Sequence, residues 1–345
     1  MPMTSNPYSL FDRAEKKRSL SKFLDAIPLY LEARRLASKD AELKSACYFS
    51  LGDTYRMVGE FTKAGRCYRE AHRLVVMLND ETRALDALVG LGLSLRAAGE
   101  FREAISLFDK SLRGYRLAGD RAGAAFTLWA RSGALRIKGD IKGAIKGFEE
   151  SKKAFEALKD RSGIGYCLTG LGGASRVAGR PKDSRKYYAE ANRVFRGLKD
   201  TFGVAYSYCG IANALRMSGD FRGSLVYFKK AKTNYRKIGD KVSYAYTLWG
   251  EGSAYQMLGK DANAVEDFKR AEALFRETKD RRGLIYCRIS SGMLEFKKSP
   301  ARAKRSVRGA LERAGKLGLG VETRYARLVL AAMDKTPGKL PLNLA

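Results

Sequence analysis

Seven aspartates, Asp40, Asp80, Asp120, Asp160, Asp200, Asp240 and Asp280, stand 40 residues apart. Between them Gly59, Gly99, Gly139, Gly179, Gly219 and Gly259 keep the same period, usually in the string Gly-Glu/Asp-Phe. A register held this long demands a repetitive architecture, in which every unit repeats one supersecondary motif and buries its apolar stripe on its neighbours. Within a unit the Asp precedes a segment of helical character such as AELKSACYFSLGDTYRMV, which the Gly ends because it tolerates the left-handed conformation. A second helix follows, with Phe61, Ala64, Tyr68, Ala71 and Leu74 at helical spacing. Pro181 and Pro300 fall at the starts of second helices, where a missing N–H costs nothing. The recurrent Asp is placed to cap the next first helix.

Those residues carry a resemblance. Leu51-Gly52, Tyr55, Ala64, Tyr68 and Ala71, then Leu91-Gly92, Ala104 and Phe108, reproduce tetratricopeptide (TPR) spacing, and Ala144, Phe148, Gly172, Tyr188, Phe228, Ala264 and Phe268 continue it. The period resembles the extended repeats of kinesin light chain and the spindle-orientation adaptors. The third position of their Leu-Gly-Asn is Asp53, Leu93, Gly133, Gly173, Asn213 and Ser253 here, so their ligand preferences do not transfer. The resemblance implies an all-α chain, a right-handed α-solenoid of TPR-like hairpins. The expected division is a cap and degenerate repeat over 1–40, six regular repeats over 41–280, a shortened seventh over 281–317, and a capping helix with a loose tail over 318–345. Residues 321–335 read as a solvating final helix.

The residues give catalysis little to work with. The one histidine, His72, aligns with variable polar positions and reads as solvent-facing. Cys47, Cys167 and Cys287 share a small-residue slot, and no Cys-x-x-Cys occurs among the five cysteines, which suits free thiols in a reducing compartment such as the cytoplasm. TGLGGAS (169–175) lacks the Lys-Ser/Thr of a phosphate loop and falls inside a helix. Neither a catalytic residue, a cofactor nor a metal is expected. The first 20 residues have no apolar core of signal-peptide length, and no apolar run is long enough to span a bilayer.

Family alignment turns the second, fifth, ninth and twelfth positions of each first helix into a concave groove. The twelfth is Arg56, Arg96, Arg136, Arg176 and Arg216, then Gln256; the second is Phe126, Tyr166, Tyr206, Tyr246 and Tyr286; Phe49, Trp129 and Trp249 share the fifth. Such a row of guanidinium groups beside aromatic rings suits an extended anionic ligand, with Asn213 able to hold a ligand backbone through both amide ends. Two readings of the row stand open. Glu60, Glu100, Asp140 and Asp220 follow Arg56, Arg96, Arg136 and Arg216 by four residues, which fits a structural ladder, and the tyrosines fit packing between neighbouring first helices. In the fourth unit Arg176 is followed by Arg180 with no compensating carboxylate. The candidate ligand residues are therefore Arg136, Arg176, Arg180, Arg216, Tyr166, Tyr206, Tyr246, Asn213, Trp129 and Trp249.

Charge bears on the partner. With 66 Lys+Arg against 37 Asp+Glu the net charge is +29, and residues 281–345 hold 15 basic against 4 acidic residues. Either a solvated basic face or attraction to an acidic partner accounts for this. The expected function is that of a non-enzymatic adaptor or scaffold holding an acidic peptide or protein segment. Single-stranded nucleic acid is the alternative. The sequence leaves the oligomeric state open.

Overall fold

The computed structural model describes residues 6–336 together with 340 and 341. Most of the tail expected to be loose, 336–345, lies outside the described residues. Seventeen helices and no strand are found among them. Helices α1 (Pro7–Ser19) and α2 (Phe23–Leu36) precede seven hairpins: α3 and α4 (Ala41–Met57, Phe61–Met77), α5 and α6 (Glu81–Ala98, Phe101–Leu117), α7 and α8 (Arg121–Lys138, Ile141–Ala157), α9 and α10 (Arg161–Val177, Pro181–Gly197), α11 and α12 (Thr201–Met217, Phe221–Ile238), α13 and α14 (Lys241–Met257, Asp261–Glu277), and α15 and α16 (Arg281–Glu295, Pro300–Lys316). The last helix is α17 (Gly320–Lys335). The fold is all-α, of the TPR-like α-solenoid class.

The periodic residues set the helix ends. Asp40, Asp80, Asp120, Asp160, Asp200 and Asp280 each accept a hydrogen bond from the backbone N–H three residues on, satisfying a donor the helix cannot. Gly99 shows how the first helices stop. Its φ of 93° lets the chain reverse, and Glu100 N–H reaches back to the Leu95 carbonyl at 2.9 Å.

Hairpins close on a glycine-to-ring contact. A Cβ on Gly52, Gly92, Gly172 or Gly252 would come within 2.9, 2.7, 2.8 and 2.8 Å of the rings of Tyr68, Phe108, Tyr188 and Phe268 respectively. In these four hairpins the aromatic side chain of the second helix thus seats where the first helix has no side chain. The glycines of TGLGGAS serve the same packing, Gly170 lying against Phe148.

The chain divides into two compact units. Unit 1 runs up to Arg131 and includes Arg236–Asp240; unit 2 comprises Ser132–Tyr235 and the residues from Lys241 onward. Unit 1 has small apolar clusters between successive helices, such as Ala14, Ala26, Tyr30, Leu51 and Cys67. Unit 2 repeats the scheme, for example with Leu168, Ala191 and Phe195.

The expected final helix over 321–335 is found as α17, which keeps one face exposed, but its contacts reach beyond the last hairpin. Helix α17 buries Val321, Tyr325, Ala326, Val329 and Met333 and, among them, the charged Glu322. Its first residue meets the end of α7, since a Cβ on Gly320 would lie 2.2 Å from the Lys138 carbonyl oxygen. Arg324 Nη2 donates to the Val177 carbonyl at 3.5 Å, at the end of α9. Instead of merely covering the last hairpin, α17 crosses first helices of unit 2 far away in sequence.

Candidate functional site

In unit 2 the last turns of α7, α9 and α11 carry Arg136, Arg176 and Arg216. Each first helix delivers its arginine at the same repeat position, one turn before the glycine stop. Gly173 on α9 leaves room for the first of them: a Cβ there would lie 3.3 Å from Arg136 Nη1 and from the Tyr188 hydroxyl. The Nε atoms of Arg136 and Arg176 are buried with no hydrogen-bond partner among the described residues.

Arg216 is the most enclosed of the three, at 0% exposure. Its guanidinium lies 5.4 Å over the Trp249 ring, and Nη2 donates to Asn213 Oδ1 at 3.2 Å. Burial, followed by the charge of Arg176, pushes the Arg216 guanidinium down to about 9. The first cause is the loss of water around the guanidinium, and the repulsion from Arg176 adds to it.

The remaining predicted residues are placed as follows. Asn213 is not open to a ligand at both ends, because Nδ2 donates to the Cys209 carbonyl at 3.0 Å while Oδ1 accepts from Arg216. Tyr166 and Tyr246 belong to the frame. Their hydroxyls donate to the capping carboxylates of Asp200 and Asp280 at 2.9 and 3.3 Å, and their rings lie 4.8 and 4.7 Å from Phe195 and Phe275. Tyr206 stacks with Phe202 at 6.1 Å. Trp249 is buried, donates through Nε1 to Ser290 Oγ at 2.9 Å and lies 4.6 Å from the Tyr286 ring. Arg180 is exposed and lies 3.9 Å from Asp183.

The proposed carboxylate ladder has a different pattern from the one the spacing suggests. Arg56 pairs at 3.3 Å with Asp53, one turn earlier, while Glu60 pairs with Lys63. Asp140 and Asp220 accept from the backbone N–H groups of Gly143 and Gly223, as helix caps. In unit 1, Arg96 lies 5.6 Å over the Trp129 ring and donates through Nη1 to the Ala130 carbonyl at 3.0 Å; Phe126 is 5.4 Å from that ring. Arg96 and Trp129 thereby fasten α5 to α7.

Sequence spacing did not reveal the second half of the unit 2 cluster. Arg282 Nε donates to Glu322 Oε1 at 2.7 Å, and this carboxylate is completely buried. Tyr325 is 3% exposed, lies 6.4 Å from the Tyr286 ring, and has a buried hydroxyl without a hydrogen bond among the described residues. The charges of Arg176 and Arg216 act on this hydroxyl. No repeat register reaches α17. The available signal was a carboxylate beside the apolar stripe Val321, Tyr325, Val329 and Met333.

No cluster of three or more His, Cys, Asp or Glu suited to a metal occurs among the described residues. All five cysteines are free, and burial pushes the thiols of Cys47, Cys67 and Cys167 up to about 11, against nucleophilic use. His72 is half-buried, and burial lowers its pKa. No helix among the described residues is long and apolar enough to cross a membrane.

Comparison with known proteins agrees with this architecture. A tetratricopeptide-repeat family model matches residues 84–118. No curated protein matches the sequence. Among solved structures, the Rap conjugation gene regulator of plasmid pLS20 in complex with the Phr* peptide is 13% identical, with a TM-score of 0.68 over 90% of this chain and 96% of that one. A Rap protein complexed with Competence and Sporulation Factor is 13% identical, with a TM-score of 0.62 over 95% and 98%. Aspartyl phosphate phosphatase F from Bacillus subtilis, also 13% identical, gives 0.51 over 99% and 87%. At such identity the likeness is one of fold. The repeat register, the hairpins it builds and the matched segment give this chain a tetratricopeptide-like repeat fold.

Proposed function

We propose that the protein is a non-enzymatic adaptor that holds an acidic peptide or protein segment against the Arg136, Arg176 and Arg216 face of unit 2, in the cytoplasm. The observation that carries this reading is that Arg136 and Arg176, on successive hairpins, keep buried Nε donors without a hydrogen-bond partner among the described residues. Arg56 in unit 1 also keeps a buried Nε without a partner, but its guanidinium is already paired through Nη2 with the Asp53 carboxylate at 3.3 Å. A carboxylate supplies what those donors lack, a charge-assisted hydrogen bond. That one protein of this fold was solved with the Phr* peptide gives a precedent for peptide binding. The net charge of +29 adds long-range attraction.

Salt titration tests the reading against nucleic acid. Affinity for a fluorescein-labelled deca-glutamate peptide should fall modestly as salt rises from about 50 to 200 mM, because a few buried contacts carry the binding. A polyanion neutralised along its backbone should lose a factor of about 10³ or more over the same range. Tight, steeply salt-dependent capture of oligo(dT) together with no capture of the peptide would replace the adaptor reading by the nucleic-acid one.

A further inference from the structure

Helix α17 lies where the proposed ligand would go. It is fixed to three first helices of unit 2: to α15 through the buried Arg282–Glu322 pair and the Tyr286–Tyr325 contact, to α9 through Arg324 and the Val177 carbonyl, and to α7 through Gly320. The same helices α7 and α9 carry Arg136 and Arg176. Against Arg282 α17 presents a carboxylate whose Oε1 accepts from the guanidinium, while Oε2 has no hydrogen-bond partner among the described residues. Among the arginines it presents Tyr325, a neutral phenol whose hydroxyl makes no hydrogen bond among the described residues. Glu322 thus has a cation partner, whereas Tyr325 offers the arginines no charge.

We infer that α17 is an internal occupant of the arginine face, and that an acidic segment binds by displacing it. This rests on the reading of that face as the binding surface. A phenol leaves the charge on Arg176 unneutralised, whereas an Asp or Glu carboxylate at that point would accept charge-assisted hydrogen bonds. An external segment with a carboxylate there has an advantage over α17 at this contact. Release would swing α17 about the short link Leu317–Leu319, in which Gly318 takes the left-handed region at φ 65°, and would expose its buried stripe Val321, Tyr325, Val329 and Met333. The occupied and released states thereby supply a two-state element whose balance sets the apparent affinity.

The test uses the full chain, the labelled deca-glutamate peptide, and amide hydrogen exchange of α17 as an independent measure of its release. Gly320→Ala places a Cβ 2.2 Å from the Lys138 carbonyl oxygen and 3.0 Å from its carbon, backbone atoms that cannot swing aside. The double variant Glu322→Gln/Tyr325→Ala loosens the helix at its other contacts and serves as a second route to the same state. Whichever of these speeds exchange in α17 should bind the peptide about tenfold or more tightly than the unaltered chain. Adding Arg176→Ala should remove the gain. In the opposite sense, Tyr325→Glu gives α17 the carboxylate it lacks and should slow its exchange while weakening peptide binding by about tenfold. Equal peptide affinity in the unaltered chain and in a variant with α17 released would overturn displacement and leave the adaptor reading intact. Absence of peptide binding even with α17 released would overturn both.

Discussion

Replacing Arg176 by alanine separates a ligand site from a structural ladder. Arg176 forms no partnered hydrogen bond through Nε and acts repulsively on the buried Arg216. Its removal relieves that repulsion and sacrifices only the packing of a half-buried stem. Net stability should therefore change by no more than about 0.5 kcal/mol, the range of an uncritical surface position. Binding is another matter: losing a hydrogen bond to a charged group costs about 1.5–3 kcal/mol, or roughly a 10- to 150-fold loss of affinity. Arg96→Ala is the contrast. It removes the hydrogen bond to the Ala130 carbonyl and the stacking over Trp129, together about 1–3 kcal/mol of stability. Thermal melts followed by circular dichroism, with fluorescence anisotropy of the deca-glutamate peptide, read both quantities. If Arg176→Ala lowers the melting temperature as Arg96→Ala does, and binding per folded molecule is unchanged, the arginine row is structural and the site assignment fails.

Two further expectations concern stability. Asp267 is buried facing Glu251, with Lys232, Arg270, Glu266 and Tyr255 around it, and burial first, then Glu251, raises its carboxyl from 3.8 to about 7. The folded state thus holds this proton more tightly than the unfolded state, so its contribution is complete below pH 4 and lost as pH rises through 7; it amounts to on the order of 4 kcal/mol. Urea midpoints of the unaltered chain, measured against Asp267→Asn across pH 4 to 8, should show that relative decline, and a constant difference would refute it. Breaking the enclosed Arg282–Glu322 pair by Glu322→Gln should cost about 3–5 kcal/mol. The double change Arg282→Met/Glu322→Leu should recover most of that loss, a coupling that a double-mutant cycle followed by Trp249 fluorescence would measure. Additive losses would show that the two groups do not act on each other.

The repeat was legible because its chemistry is local. An Asp caps the helix that begins beside it, a Gly ends the helix that precedes it, and Gly172 meets Tyr188 within one hairpin; each interaction recurs every 40 residues, so a reader of sequence sees it many times. The site was legible only as far as it shares that register. Arg136, Arg176 and Arg216 were found by their common position, but their surroundings differ in ways the register does not encode. Tyr166 and Tyr246 looked open to a ligand because the hydrogen bonds that engage them run to the capping Asp of the next unit, residues already assigned another task. Asn213 looked free because its partners, the Cys209 carbonyl and Arg216, lie on its own helix, where spacing alone gives no preference between an internal bond and an external one.

The distant contacts of helix α17 were not legible for a different reason. It occurs once, so no repetition reveals its partners, and the residues that settle its place are distant in sequence: Arg324 meets the carbonyl of Val177, and Gly320 that of Lys138. What the helix sequence does carry is a conflict between two local rules. Val321, Tyr325, Val329 and Met333 demand burial, while Glu322 next to them demands water or a cation. A solvating helix meets only the first demand. Satisfying both requires a surface that is apolar along the stripe and holds a guanidinium at one point, and in unit 2 Arg282 provides it. A charged residue beside an apolar stripe is thus a sign in the sequence that a partner of opposite charge exists, and here that partner is Arg282 in the first turn of α15.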